Sequence, residues 1–257
     1  MSVSDSMKKV LLSKAYDYME KDPDENIPKL IDLAEKLDKD GGISKEIAGV
    51  RKIVDNKDGN WYKLLRSCWT EIDSSVFKRV FTNFVVNSCM TGNPIRWKMM
   101  EKYDCNVPWA ILMDPTSACN LHCTGCWAAE YGNKLNLTLD ELDNVIKQGE
   151  ELGTYVYLYS GGEPLVRRKD IITLCDRHPE CLFTCFTNGT LIDDAFADEM
   201  ARVKNFVPAI SVEGFEKETD FRRGEGTFQA TQRAMEKLRA RHLLFGISCS
   251  YTRKNAE

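Results

Sequence analysis

Hydrophobic residues recur at two different spacings along the chain, and the change comes near residue 105. From Ser6 to about Lys102 the apolar residues stand three and four positions apart, which predicts amphipathic helices. The clearest stretches are MKKVLLSKAYDYME, IPKLIDLAEKLDK, ISKEIAGVRKIV and SSVFKRVFTNFVVNS. Clusters of turn-forming residues separate the helices, at positions 21–25, 40–42, 55–60 and 91–94. We therefore predict a helical N-terminal region over residues 1–105.

After Trp109, short apolar runs alternate with helical stretches. The runs are WAILM, TYVYLY, LFTCFT, VPAISV and LLFGISCSY, each of a length and composition typical of a strand. Thr138 and Glu141 form a capping box at the start of the first intervening helix, and Gly153 ends it. This alternation predicts a parallel sheet in an α/β domain over residues 106–257. Right-handed crossovers then place every loop that follows a strand on one rim, where such folds carry their sites.

The loops that follow the predicted strands carry distinctive small and polar residues. The first holds three cysteines, Cys119, Cys123 and Cys126, at the spacing C-x3-C-x2-C. The next four hold the motifs Gly161-Gly162-Glu163-Pro164, Thr187-Asn188-Gly189-Thr190, Ser211-Val212-Glu213-Gly214 and Tyr251-Thr252-Arg253-Lys254. Three thiolates can hold a compact inorganic core but leave a tetrahedral or cubane centre one ligand short. Taken alone, the triplet fits either a reactive centre with a vacant position or a zinc site completed by His122 or a distant cysteine.

In this order and placement, the motifs resemble those of the radical S-adenosylmethionine enzymes, from about residue 107 to residue 257. The resemblance implies a partial parallel (β/α) barrel, of which about five strands are present, behind the N-terminal helical region. It also implies a [4Fe-4S] cluster held by Cys119, Cys123 and Cys126, with S-adenosylmethionine chelating the fourth iron. Reductive cleavage of S-adenosylmethionine then gives a 5′-deoxyadenosyl radical for hydrogen abstraction or group transfer on an unidentified substrate. An electron donor such as flavodoxin or ferredoxin is implied as a partner.

The same resemblance implies roles for residues in the later loops. In similar enzymes the segment with Gly161 and Gly162 bonds the methionyl amino group, and Glu163 fixes the turn. Ser211 and Glu213 would meet the ribose hydroxyls, and Arg223 would pair with the methionyl carboxylate. Each of these last three residues also has an alternative interpretation. Ser211 would bond local backbone at the end of its strand, and Glu213 and Arg223 would face solvent.

One departure from the pattern concerns the residues around the third cysteine. Many relatives have an aromatic residue just before that cysteine, whereas this chain has Gly125 there and Trp127 just after it. Trp127 either stacks on adenine or belongs to the core. The catalytic residues of the substrate reaction have no recognisable motif, and the substrate is not identified.

Charge and cysteine content indicate which partners and which cellular compartment fit this sequence. The net charge is -4, from 35 lysines and arginines against 39 aspartates and glutamates, which does not indicate a nucleic-acid or anionic-membrane surface. No apolar stretch reaches the length of about 18 residues that a membrane helix needs, and the N-terminus does not read as a signal peptide. The ten cysteines suit a reducing compartment, so we predict a cytoplasmic protein without a membrane partner.

Two hypotheses of different classes follow. The first is a radical S-adenosylmethionine enzyme whose core domain lacks its last repeat and any C-terminal extension. The alternative is a zinc-stabilised, non-catalytic interaction module, in which the helical region binds a partner. Iron with acid-labile sulfide would distinguish the first from the second, which would contain one zinc.

Overall fold

The computed structural model describes residues 14–38, 44–253 and 255. These residues fall into two compact units, one that ends at Lys78 and one that begins at Arg79. The predicted turn at 40–42 and the start of the first predicted helix lie outside the described residues. No helix in the described ranges has the length and apolar character needed to cross a membrane.

The first unit is helical, as the spacing of its apolar residues predicts. Its helices are α1 at residues 14–21, α2 at Pro23–Leu37, α3 at Ser44–Asp55, α4 at Asn60–Thr70 and the start of α5 at Ser74–Phe81. Asp22 caps α2 by accepting a hydrogen bond from the Glu25 backbone N–H at 3.2 Å. The core is formed by aliphatic side chains of α2 and α3, namely Ile27, Ile31, Ile47 and Val54.

The second unit contains a five-stranded sheet in which every neighbouring pair is parallel. The strands are β1 at Ala110–Met113, β2 at Val156–Tyr159, β3 at Leu182–Thr187, β4 at Phe206–Ser211 and β5 at Gly246–Ser248. Their order in the sheet is their order in the chain, β1-β2-β3-β4-β5. The predicted α/β class with five parallel strands is therefore confirmed.

Helices connect the strands and cover one face of the sheet. They are α7 at Leu139–Glu151, α8 at Arg168–Arg177, α9 at Asp194–Val203, α10 at Glu216–Arg223 and α11 at Thr227–Ala240. The Tyr157 hydroxyl of β2 donates to the Ile146 carbonyl of α7 at 2.9 Å, and Phe183 of β3 stacks on the Tyr157 ring. On the opposite face Leu112 and Phe186 are 58% and 43% exposed. The face of the sheet that the helices cover therefore belongs to the core, and the opposite face is exposed.

The predicted limits of α7 are correct. The Thr138 hydroxyl accepts from the Glu141 backbone N–H, and the Glu141 carboxylate accepts from the Thr138 backbone N–H. Gly153 has a φ of 87°, a left-handed conformation that favours glycine after a helix.

Residues 79–103 are helical and pack against the loops that precede β2 and β3. A π-helical segment, Thr82–Gly92, continues from α5 and leads directly into α6, Asn93–Tyr103. The Asn83 side chain donates to the carbonyls of Pro179 and Cys181 at 3.0 and 2.7 Å. The predicted turn at 91–94 is wrong, because Pro94 occupies the first turn of α6, where proline is tolerated. The predicted domain boundary between residues 105 and 106 stays a prediction, and the unit with the sheet includes this helical segment.

A pair of glycines allows close backbone contact between this segment and the end of α7. A Cβ atom at Gly92 would lie 2.3 Å from the Gly153 carbonyl oxygen, and one at Gly153 would lie 2.6 Å from the Gly92 carbonyl oxygen. The Arg96 guanidinium also donates to the Gly153 carbonyl, at 2.6 Å. Both positions therefore require glycine for steric reasons.

His178, at the end of α8, is held between two carboxylates and is only 4% exposed. Its Nδ1 lies 2.8 Å from a Glu150 oxygen, and its Nε2 lies 3.2 Å from an Asp143 oxygen. Burial disfavours the charged ring, but hydrogen bonds and charge from Glu150 and Asp143 outweigh burial and raise the pKa of His178. The ring is therefore structural.

We expect the stabilisation from His178 to weaken as the pH rises. Because the pKa is raised by folding, this contribution is complete below the ordinary histidine pKa of about 6.5 and is lost as the pH passes through the folded-state pKa. The measurement is the free energy of unfolding by urea, for the wild type and His178→Gln, between pH 5.5 and 8.5. The advantage of the wild type should be largest at the acidic end.

The control repeats the comparison in a Glu150→Gln background, which removes one of the two carboxylates that face His178. The pH dependence of the His178 contribution should be smaller in that background. An advantage of His178 that grows with pH would contradict the assignment.

Candidate functional site

The three cysteines of the first loop face one cavity at the carboxyl-end rim of the sheet. Cys119, Cys123 and Cys126 are partly buried and all line this cavity of about 250 Å³, which we call the cysteine cavity. The Thr124 backbone N–H donates to the Arg222 carbonyl at 2.7 Å, which fastens the loop to the end of α10. Burial raises the pKa of the Cys119 and Cys123 thiols, and the positive charge of Arg223 partly opposes this effect at Cys123.

The glycine pair after β2 brings the second loop against the backbone of the first. Gly161 has a φ of 99°, and a Cβ atom at Gly162 would lie 2.2 Å from the Ala118 carbonyl oxygen. The Gly162 backbone N–H donates to the Thr116 carbonyl at 2.9 Å. Both glycines line the cysteine cavity, so backbone rather than side chain forms that part of its wall.

Glu163 joins the second loop to the third. Its carboxylate, 1% exposed, accepts from the Leu165 backbone N–H at 3.0 Å, the Thr187 hydroxyl at 2.7 Å and the Asn188 backbone N–H at 2.7 Å. Burial raises the pKa of Glu163, and these three hydrogen bonds act in the opposite direction. The residue lines the cysteine cavity while fixing its geometry.

The third loop is tied to the first by side-chain amides. The Asn188 amide donates to the Asn120 side-chain oxygen at 2.9 Å, and the Asn120 amide donates to the Thr190 hydroxyl at 2.8 Å. Thr187 and Asn188 both line the cysteine cavity. The motif was recognised in the sequence, but no site role was predicted for its residues.

Of the predicted ribose pair, only Ser211 lines the cysteine cavity. Both oxygens of the Glu213 carboxylate accept hydrogen bonds from other groups of the protein. Oε1 accepts from Arg222 and from Nε and a terminal nitrogen of Arg223, the last two at 2.9 and 2.6 Å. Oε2 accepts from the Ser250 backbone N–H at 3.0 Å. The structure thus places Glu213, 1% exposed, behind the cavity wall, and brings Arg223 to the cavity.

Several lining residues were not predicted. They are Ser160, Phe186, Arg222, Ser248 and Ser250, together with Trp127, for which two interpretations were open. Trp127 is 56% exposed and packs edge-on against Tyr131 with ring centroids 5.8 Å apart, so it is not a core residue. Ser160 and Ser248 could have been found by extending the alternation of β2 and β5 toward the rim.

The donor set suits a multinuclear centre. Within residues 14–38, 44–253 and 255, no three histidine, cysteine or acidic side chains are close enough to share one metal ion. One zinc ion would bring its sulfur ligands to about 3.8 Å from each other, since Zn–S bonds of about 2.3 Å point tetrahedrally. A cubane binds each thiolate on a different iron, so three thiols around one cavity fit it without that proximity.

A family model of the radical SAM superfamily matches residues 113–249, which include the loops after β1, β2, β3 and β4 and the strand β5. The chain belongs to the radical SAM superfamily. Members of this superfamily use a [4Fe-4S] cluster and S-adenosylmethionine. The predicted superfamily and its cofactors are therefore confirmed.

Two curated relatives and one solved structure show how far the likeness extends. The chain is 28% identical over 158 residues to an AdoMet-dependent heme synthase of Methanosarcina barkeri, covering 59% of this chain and 45% of the relative. It is 30% identical over 152 residues to an Fe-coproporphyrin III synthase of the same organism, covering 56% and 37%. The chain thus spans less than half the length of these relatives.

The solved structure is Streptococcus suis SuiB bound to S-adenosylmethionine. It superimposes with a TM-score of 0.53 at 20% identity, over 63% of this chain and 39% of SuiB. This likeness supports the fold alone.

Proposed function

We propose that this chain holds a [4Fe-4S] cluster through Cys119, Cys123 and Cys126 and cleaves S-adenosylmethionine to start a radical reaction on an unidentified substrate. The observation that carries the proposal is the cysteine cavity, in which three thiols meet the glycine turn, Ser211 and Arg223. The reaction is hydrogen abstraction or group transfer, with flavodoxin or ferredoxin as the electron donor. A zinc-stabilised interaction module is less consistent with this donor set and with the family match.

When bound, a [4Fe-4S] cluster reduced by the electron donor would supply the single electron that cleaves S-adenosylmethionine into methionine and a 5′-deoxyadenosyl radical. The chain positions the reactants. The missing Cβ atoms of Gly161 and Gly162 allow the second loop to pack on the backbone of the first, and backbone groups of this turn are the proposed partners of the methionyl amino group. The Ser211 hydroxyl is available to a ribose hydroxyl, and the guanidinium of Arg223 to the methionyl carboxylate.

Glu213 acts indirectly in this arrangement. Its carboxylate bonds Arg222 and Arg223 on one oxygen and the Ser250 backbone on the other. It therefore holds the Arg223 guanidinium at the cavity and ties α10 to the segment after β5. We propose this positioning role for Glu213, and its contact with the ribose hydroxyls stays a prediction.

The test is anaerobic purification of the full chain followed by metal, sulfide and product analysis. We expect about four irons and four sulfides per chain, the content of one [4Fe-4S] cluster. Adding S-adenosylmethionine should change the paramagnetic spectrum of the reduced protein. Dithionite should then produce 5′-deoxyadenosine and methionine. One zinc per chain, without sulfide and without 5′-deoxyadenosine, would establish the interaction module instead.

A further inference from the structure

A larger cavity adjoins the cysteine cavity at the β1 edge of the sheet. Its volume is about 780 Å³, within the range of about 300–1,000 Å³ usual for small-molecule sites. We call it the β1 cavity. It shares Trp127, Gly161 and Gly162 with the cysteine cavity. A ligand in the β1 cavity would therefore lie next to the proposed cofactor site.

The wall of the β1 cavity is mostly apolar and contains one carboxylate. The apolar side chains are Ile111, Leu112, Met113, Leu135, Leu137 and Val145. Asp114 is the only lining residue with a formal charge among those that the structure describes. In the described part of the chain, no hydrogen bond or ion pair reaches its carboxylate. Asp114 as a whole residue is exposed, and partial desolvation of its carboxylate raises its pKa.

Two aromatic rings line the same cavity. Trp127 and Tyr131 are 56% and 59% exposed, and their planes meet at 77°. Exposed aromatic faces attract organic cations through the ring quadrupole. A carboxylate and two such rings around one apolar space are the groups that recognise an ammonium ion.

We infer that the β1 cavity binds the substrate of the radical reaction, and that this substrate carries a protonated amine on an apolar body. The inference rests on the proposed function, because only that function makes the neighbouring cavity a source of radicals. The charges of the two cavities agree with the inference that the substrate is a cation. The cysteine cavity is lined by the guanidinium groups of Arg222 and Arg223 and by the carboxylate of Glu163, whereas the carboxylate of Asp114 is the one charged group that the described residues contribute to the β1 cavity.

The experiment compares three probes that share a phenyl ring and differ in the polar group: 2-phenylethylamine, 2-phenylethanol and 3-phenylpropanoate. Ligand-observed NMR at pH 7 would give their dissociation constants for the anaerobically purified full chain. We expect the amine to bind about tenfold more tightly than the alcohol, and the carboxylate to bind most weakly. Asp114→Asn should remove most of the advantage of the amine over the alcohol and leave the smaller part that Trp127 and Tyr131 provide.

The matched control is Asp104→Asn, which alters an exposed aspartate that does not line the cavity and whose φ of 49° suits asparagine. This variant should keep the preference for the amine. The inference is overturned if the wild type does not prefer the amine, or if Asp114→Asn retains the full preference of the wild type. It is also overturned if saturating S-adenosylmethionine displaces the amine, since the cavity would then belong to the cofactor.

Failure of the proposed function would be recognised separately. Probe binding is measured without turnover, whereas the proposed function is judged by iron, sulfide and 5′-deoxyadenosine in the same preparation. A preparation that prefers the amine but lacks these products would overturn the proposed function alone. One that forms the products without preferring the amine would overturn only the inference about the substrate.

Discussion

Replacing Cys119, Cys123 and Cys126 together by alanine is expected to abolish bound iron and sulfide and to reduce 5′-deoxyadenosine to the level of a protein-free control. The reason is that alanine has no donor atom, and the Sγ atoms are the proposed ligands of three irons. Iron, sulfide and 5′-deoxyadenosine are measured after anaerobic reconstitution. Circular dichroism would show whether the variant keeps its helices.

The chain offers a matched control with the same number of substitutions. Cys89, Cys105 and Cys249 are exposed cysteines of the same compact unit, and none lines the cysteine cavity. Replacing these three by alanine should preserve iron, sulfide and 5′-deoxyadenosine. If the first triple variant kept its iron and sulfide, the proposed ligand set would be wrong.

Glu213→Ala should cause a large loss of stability, of about 3–5 kcal/mol in the free energy of unfolding. The substitution removes the one carboxylate that Arg222 and Arg223 share, and these side chains are only 25% and 13% exposed. It also leaves the Ser250 backbone N–H without its acceptor. Breaking a buried ion pair by removing one partner is costly because the remaining charge is desolvated without compensation. Urea unfolding of wild type and variant measures the effect.

Asp194→Ala is the corresponding surface control. Asp194 also pairs with two cations, Lys237 and Arg241, but its side chain is 64% exposed. Water compensates for the loss of such a pair, so this substitution should have a much smaller effect. Equal losses in the two variants would contradict the structural role of Glu213. Glu213→Gln should fall between them, since it keeps an acceptor and loses the charge.

Local signals predicted the parts of the fold that depend on neighbouring residues. The limits of β3 at Leu182–Thr187 coincide with the predicted run, and the capping box of Thr138 and Glu141 marks the start of α7. The cysteine triplet and the glycine pair were recognisable because each occupies a few consecutive positions after a strand. Parallel topology then places them on one rim, as the structure confirms.

The features that escaped prediction depend on distant contacts or on ambiguous residues. Glu213 faces Arg222, Arg223 and Ser250, of which the last is 37 positions away along the chain. A strand-end carboxylate by itself does not reveal that such partners will occupy it. Pro94 was ambiguous because proline favours both turns and the first turn of a helix, and only the continuation into α6 decides between them.

The close approach of Gly92 and Gly153 restricts which substitutions this sequence can accept during evolution. At each position a Cβ atom would meet the other residue's carbonyl oxygen, at 2.3 and 2.6 Å. Because both obstacles are backbone atoms, no replacement of one side chain can compensate for a change at the other position. Homologues that retain this contact should therefore keep both glycines together, whatever substrate they use. The pair would identify this helical attachment in an alignment independently of the cysteine triplet.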